Sequence, residues 1–197
     1  MEESSRNSYR SILKGTSIFG GMQVFLILIN LVRGKFVAMF LGPEGMGISS
    51  LFNATTNTVV KASSLGLNLA IVKEVAAENE SGKAFGGLLR IISRLVSLTA
   101  LLGCAICVLL ARYLSEWTFG TDDYAWQFVA LGMMVFLTIV YNGKSSVLQG
   151  LHEVKRLSKA SIVGALTGLF AGVPLYYFFG TKGIVPAMIL FAAVNLI

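Results

Sequence analysis

The sequence predicts an all-α membrane protein, on the evidence of its composition, the length of its apolar runs and the absence of strand patterns. Of its 197 residues, 55% are hydrophobic and only 13% are charged, whereas a soluble domain usually carries about 25% charged residues. The alternating pattern of membrane-spanning strands is absent. Most of the uncharged runs approach the roughly 17–25 residues of a spanning helix. These runs are 15–32, 45–60, 95–111, 124–143, 160–181 and 183–197.

The first predicted helix follows a polar cytoplasmic tail at 1–11 and ends at Gly42 and Pro43. Proline cannot continue a helix and glycine suits a helix terminus. The chain is therefore expected to turn here and to form a helical hairpin. The six predicted helices form one lobe that breaks off in its sixth helix, and they cover about 12–40, 45–65, 86–111, 124–150, 160–179 and 183–197.

Two of the later helices carry a regular pattern of small or polar residues. Gly164, Gly168 and Gly172 form a doubled G-x-x-x-G motif in the fifth helix, which is typical of tight helix packing. One face towards the end of the fourth helix is polar and carries Thr138, Asn142, Ser145 and Gln149.

The distribution of basic residues predicts that the N-terminus is cytoplasmic, because cytoplasmic segments carry an excess of Lys and Arg. In this topology the outer loops hold only Arg112 and Lys182. The opposite topology would place most of the basic residues outside the cytoplasm. The inner segments hold Arg6, Arg10, Lys14, Lys73, Lys83, Arg90, Arg94, Lys144, Lys155, Arg156 and Lys159.

The hairpin at 30–64 carries three positive side chains, Arg33, Lys35 and Lys61. A fixed charge within the hydrocarbon costs roughly 2.5–3.5 kcal/mol, so a negative ligand is expected nearby. Asn30 shares a face of the first helix with Arg33. Lys35 lies about 200° further round the helix and is expected to reach the membrane interface.

A polar stripe follows one side of the second helix, at Ser50, Asn53, Asn57, Lys61 and Ser64. Hydrogen bonds between helices, worth about 0.6–2 kcal/mol each, explain the two serines. Two asparagines and a lysine on the same stripe favour a water-filled cavity.

The carboxylates lie in tails, loops or helix ends. Cation-coupled export usually needs a carboxylate inside the membrane, and acid–base catalysis would need paired carboxylates or a buried histidine. No residue cluster has the spacing of a metal site. The sequence thus predicts no catalytic residue, metal or cofactor. The spread of the basic residues also argues against nucleic-acid binding, whereas the cations in the hairpin favour an anion such as a phosphate or pyrophosphate.

The run from Gly34 to Gly47, GKFVAMFLGPEGMG, resembles the first hairpin of the polysaccharide-export and O-antigen translocase family. This family belongs to the superfamily of multidrug, oligosaccharidyl-lipid and polysaccharide exporters. The stretch from Lys61 to Asn79 is similar to the family's second helix and the inner loop after it. The resemblance covers the chain as the N-terminal six-helix lobe.

The resemblance implies a flippase of the bacterial cytoplasmic (inner) membrane. Such proteins move an undecaprenyl-pyrophosphate-linked oligosaccharide, an O-antigen or capsule or exopolysaccharide repeat unit, to the outer leaflet. They have two six-helix lobes around a cationic cavity and work by alternating access. A C-terminal lobe is then expected, from further sequence or from another chain. The implied partners are the lipid-linked oligosaccharide and membrane lipid, with a polysaccharide polymerase as a candidate.

In the hypothesis for the substrate site, the cations and the asparagines have different roles. Arg33 and Lys61 are expected to contact the pyrophosphate, with Lys35 as a weaker candidate. The amides are expected to bind phosphate or sugar, and they belong to Asn30, Asn53 and Asn57.

Three alternatives remain open at this point. A drug exporter of the same superfamily is disfavoured because this lobe has no carboxylate inside the membrane. A membrane enzyme of polysaccharide assembly, such as a polymerase or acyltransferase, usually has sizeable outer loops, and here the predicted outer loops are short. A scaffold without transport activity is the third alternative.

Overall fold

The computed structural model describes residues 2–81 and 86–196, and it describes their side chains except in 2–19, 80, 81 and 154. Throughout this part of the chain every regular element is a helix. Short 3-10 helices lie at Asp122–Tyr124 and Gly180–Gly183. The α-helices are α1 (Glu2–Ser64), α2 (Leu67–Ser81), α3 (Gly86–Leu109), α4 (Ala111–Phe119), α5 (Ala125–Gly150), α6 (Val154–Phe179) and α7 (Ile184–Asn195).

Helix α1 is divided at Gly42 into two arms, residues 2–41 and 43–64. Gly42 has φ 68° and ψ −173°, a conformation that is essentially restricted to glycine. Pro43 suits the first turn of the second arm, where its missing N–H would have no helical partner. Residues of both arms, including Arg33 and Asn53, line a common cavity. The arms therefore lie side by side, and the turn predicted at Gly42 and Pro43 is present.

Helices α3 and α5 run in opposite directions and pack closely where glycines face the partner helix. A Cβ atom added at Gly103 would lie 2.9 Å from Val135, and one at Gly143 would lie 2.7 Å from Val96. The missing side chains let the two backbones approach. Helix α2 packs on the end of α5, where Val75 is fully buried.

A second part of the core joins α1 to α4, α5, α6 and α7. Phe52 of the second arm has its ring centroid 5.0 Å from that of Phe119 and 5.4 Å from that of Phe128. Tyr176 of α6 is 2% exposed in the same cluster, and Ile184 of α7 is fully buried there. This cluster fixes the position of α6 against the hairpin.

Four helical runs in the described residues are long and apolar enough to cross a membrane. Two of these runs contain a break, at Gly42 and at the 3-10 helix before α7. Large apolar side chains remain exposed on their outer faces, for example Leu31, Leu98 and Phe170. The protein is therefore an all-α membrane protein. The four runs are Gly20–Ser64, Gly86–Leu109, Asp122–Gly150 and Lys155–Asn195.

The observed helices are longer than the sequence predicts where polar residues flank an apolar run. Helix α1 is already helical at Glu2, so its first arm includes most of the predicted tail. Helix α6 begins at Val154 instead of at 160, and the loop predicted at 112–123 contains α4. Hydrophobicity marks only the part of a helix that lies in lipid, and a helix continues beyond it while its residues favour helix. Of the basic residues used for orientation, Lys83 lies outside the described residues, and the side chains of Arg6, Arg10 and Lys14 are not described.

Replacing Gly42 with alanine tests the turn between the two arms. A Cβ atom in this backbone conformation is expected to lower the free energy of unfolding by about 1–3 kcal/mol, measured by circular dichroism in detergent. Gly47→Ala is the matched control, because Gly47 is helical and has no neighbouring atom within 4 Å of an added Cβ. Equal unfolding temperatures for Gly42→Ala and wild type would show that the turn does not depend on glycine.

Candidate functional site

A cavity of about 340 Å³, here called the main cavity, lies between the two arms of α1 and helices α5, α6 and α7. Among the described residues, its lining combines amides and hydroxyls with a single cation and includes no carboxylate. Such a lining can donate several hydrogen bonds to a negatively charged ligand. The polar lining residues are Asn30, Arg33, Asn53, Asn57, Thr138, Tyr141, Asn142, Ser161 and Asn195.

A second cavity of about 190 Å³, here called the side cavity, lies between the arms of α1 and reaches Tyr176. It shares Asn30, Arg33 and Asn53 with the main cavity and adds Ser49 and Ser50. Arg33 therefore lies where the two cavities meet.

Arg33 is half-buried and is positioned by two aromatic residues from distant parts of the chain. Its Nη2 donates a hydrogen bond to the Tyr176 hydroxyl at 3.2 Å. Its guanidinium carbon lies 4.6 Å from the centroid of the Phe191 ring, which is a favourable cation–π distance. Since a guanidinium has five N–H donors, most of them remain available to a ligand.

No carboxylate of the described residues lies within ion-pair distance of Arg33. The salt bridge found in this part of the chain joins Arg156 to Glu153 at 2.9 Å, at the start of α6. The same residues contain no group of three His, Cys, Asp or Glu side chains that could hold a metal ion. Two aromatic residues thus stabilise the charge of Arg33, and no carboxylate of the described residues neutralises it.

The asparagines of the hairpin leave much of their hydrogen-bonding capacity free. Asn53 donates from Nδ2 to the Ser49 carbonyl of its own helix at 2.8 Å, and its Oδ1 remains available. In the described part of the chain, Asn30 and Asn57 make no hydrogen bond through their side chains. All three are exposed on the cavity side, so they can turn towards a ligand.

The structure does not bring Lys61 and Lys35 into this group. Both side chains are exposed, and neither lines the main cavity or the side cavity. Lys61 lies one helical turn beyond Asn57, about 6 Å along the helix axis. Lys35 lies on another face of its helix from Arg33.

Sequence reasoning missed the aromatic and polar residues that α6 and α7 contribute. Tyr176 and Phe191 contact Arg33, and Asn195 lines the main cavity. The signals available were a polar Asn195 within the last apolar run and the glycine motif of α6. Gly164 and Gly168 face Asn195 and Phe191 respectively, so the predicted packing against a neighbouring helix is confirmed for these two glycines.

The chain is similar in sequence to curated flippases. It is 26% identical over 171 residues to the "Lipid III flippase" of Escherichia coli strain K12, and that alignment covers 83% of this chain and 41% of the relative. The "Lipid III flippase" of Shigella flexneri matches with the same identity and coverage. The chain thus spans less than half the length of these relatives. No family model and no solved structure matches it.

Replacing Gly168 with alanine tests how the ring beside Arg33 is positioned. The added Cβ would overlap Phe191, and overpacking of this kind is expected to cost about 1–3 kcal/mol of stability. Gly172→Ala is the matched control in the same motif, because its nearest atom would be Tyr176 Cε2 at an ordinary 3.7 Å. Thermal unfolding in detergent measures both variants, and equal effects would contradict the packing described.

Replacing Tyr176 with phenylalanine removes the hydrogen-bond acceptor of Arg33. The expected loss of unfolding free energy is about 1–3 kcal/mol, because a hydrogen bond to a charged group is lost. Tyr177→Phe controls for the loss of a hydroxyl, since Tyr177 is 66% exposed. In a double-mutant cycle with Arg33→Gln the effect of Tyr176→Phe should largely disappear. Additive effects would mean that the two residues do not interact.

Proposed function

We propose that this chain is one six-helix lobe of a flippase that moves a lipid-linked saccharide across a bacterial cytoplasmic membrane. The observation that carries the proposal is the unpaired guanidinium of Arg33 in the main cavity of a membrane protein. The similarity to lipid III flippases supports the same class of substrate.

The chemistry of the main cavity favours an anionic head group. A charge inside a membrane protein usually marks a substrate or ion pathway, and here the described surroundings offer Arg33 no carboxylate. Arginine binds phosphate oxygens through paired N–H donors. A pyrophosphate at Arg33 would therefore supply the missing negative charge.

The asparagines suit the remainder of such a ligand. Asn30 and Asn53 flank Arg33 in both cavities, and Asn57 lies one turn further along the second arm. Their amides would bind phosphate or sugar oxygens. Lys61, one more turn along, would attract the head group at the rim of the cavity, and Lys35 would act mainly as an interfacial anchor.

The proposed substrate is an undecaprenyl-pyrophosphate-linked oligosaccharide such as an O-antigen or capsule repeat unit. Transport by alternating access would require a second lobe facing the exposed asparagines. In this arrangement the N-terminus is cytoplasmic, and a polysaccharide polymerase would receive the translocated product. A cation-coupled exporter fits less well, because the described residues that line the main cavity include no carboxylate that could bind the coupling ion.

Charge changes at Arg33 test the proposal in the full-length protein. Arg33→Gln should reduce transport about tenfold or more, because charged hydrogen bonds to the phosphate are lost. Lys35→Gln, which removes a charge two residues away and outside both cavities, should have little effect. The measurements are surface polysaccharide in a flippase-deficient strain and transfer of labelled lipid-linked oligosaccharide across vesicles, at matched protein levels in the membrane.

The reversed charge gives the decisive result. Normal surface polysaccharide with Arg33→Glu and Lys61→Glu together would overturn the proposal. If the single variant Arg33→Glu abolished surface polysaccharide and the single variant Lys61→Glu left it normal, the pyrophosphate would bind at Arg33 and not at Lys61.

A further inference from the structure

A third cavity, of about 640 Å³, lies where α3, α4 and the start of α5 meet. Here it is called the interfacial cavity. Its lining includes the charged residues Arg112, Asp122 and Asp123 and the aromatic residues Tyr113 and Trp126. It shares no residue with the main cavity or the side cavity, and the proposed transport does not account for it.

The position of this cavity along the membrane normal follows from helix geometry. Arg94 and Arg112 bound the uncharged run 95–111. Its 17 residues rise about 26 Å at 1.5 Å per residue, along α3 and, after the break at Leu110, the start of α4. This length is close to the hydrocarbon thickness of roughly 30 Å. On the antiparallel α5, Gly132 packs against Cys107, so Trp126 lies about level with Tyr113. The interfacial cavity is therefore at the boundary between hydrocarbon and lipid headgroups.

The exposed side chains around the cavity change in polarity along the membrane normal. Leu109, at the hydrocarbon side, is 80% exposed, and Tyr113 and Trp126 are 71% and 80% exposed at the next level. Tyrosine and tryptophan favour this boundary layer. Arg112 is next to Tyr113 in α4 and so lies at about the same level, and the two aspartates line the same cavity. A lipid with its acyl chain beside Leu109 would therefore have its glycerol backbone and headgroup beside these aromatic and charged side chains.

The charges of the cavity select between kinds of headgroup. Arg112 has no ion-pair partner among the described residues, although Asp122 and Asp123 line the same cavity. A guanidinium can bind a phosphate, and carboxylates can accept N–H donors from an ammonium group. A phosphoethanolamine headgroup carries both partners. A choline headgroup has no N–H to donate, and a glycerol headgroup has no positive charge for the aspartates.

We propose that the interfacial cavity binds one phospholipid with a phosphoethanolamine headgroup. Arg112 binds the phosphate, the pair of aspartates binds the ammonium group, and the aromatic side chains flank the glycerol region. The site does not depend on the proposed transport of saccharides, so each proposal can fail without the other.

Trp126 provides a direct test in the full-length protein reconstituted into phosphatidylcholine vesicles. With Trp117→Phe, and with any tryptophan outside these 197 residues also replaced, Trp126 is the reporting fluorophore. Brominated phosphatidylethanolamine should quench it about threefold more than brominated phosphatidylcholine or phosphatidylglycerol at equal mole fraction. A modest ratio is expected because exposed charge pairs contribute weakly.

Variants separate the headgroup contacts from general lipid contact. Arg112→Gln should abolish the preference, and so should Asp122→Asn combined with Asp123→Asn. Glu116→Gln is the matched control, because Glu116 is an exposed acid of α4 outside the cavity lining. All of these side chains are exposed, so the fold should be retained, as circular dichroism would verify.

Two results would overturn this proposal. Equal quenching by all three brominated lipids would mean that Trp126 contacts bulk lipid only. Stronger quenching by phosphatidylglycerol would mean that Arg112 selects an anionic lipid and that the aspartates do not take part.

Discussion

The charge of Arg33, which no carboxylate of the described residues neutralises, is the constraint around which the rest of the structure is arranged. A cation in a membrane segment needs polar or aromatic neighbours, and α6 and α7 supply them through Tyr176 and Phe191. Tyr176 is also part of the buried core, so the position of the guanidinium is coupled to the packing of the helices. The hairpin contributes the charge, and the C-terminal helices determine where the charge lies.

Glycines contribute to this arrangement by letting neighbouring helices approach closely. Gly168 lets α7 approach α6 closely enough for Phe191 to reach Arg33. Gly103 and Gly143 do the same between α3 and α5, and the antiparallel pairing of those helices also fixes the level of the interfacial cavity. Helix association in membranes depends on close packing of this kind, because there is no hydrophobic driving force between apolar helices in lipid.

Patterns within one helix were the part of the structure that could be predicted. The turn at Gly42 follows from local backbone chemistry, and the grouping of Asn53 and Asn57 follows from helical periodicity. Tyr176 could not be predicted as the partner of Arg33, because 143 residues separate them and no local pattern reports such a contact. The polar stripe ending at Ser64 is about 21 Å long from Ser50, longer than one small cavity, and periodicity could not indicate which part of it lies inside.

The hydrogen bond between Arg33 and Tyr176 has a consequence for the way an anion would leave the main cavity. Arginine keeps its charge throughout the physiological pH range, and tyrosine offers a neutral acceptor in place of a titratable carboxylate. The positive charge that an anion would meet at this position is therefore fixed. An anion bound there would be released by a change in distance or in access of water, so the timing of release would be set by the motion of helices and not by proton transfer at Arg33.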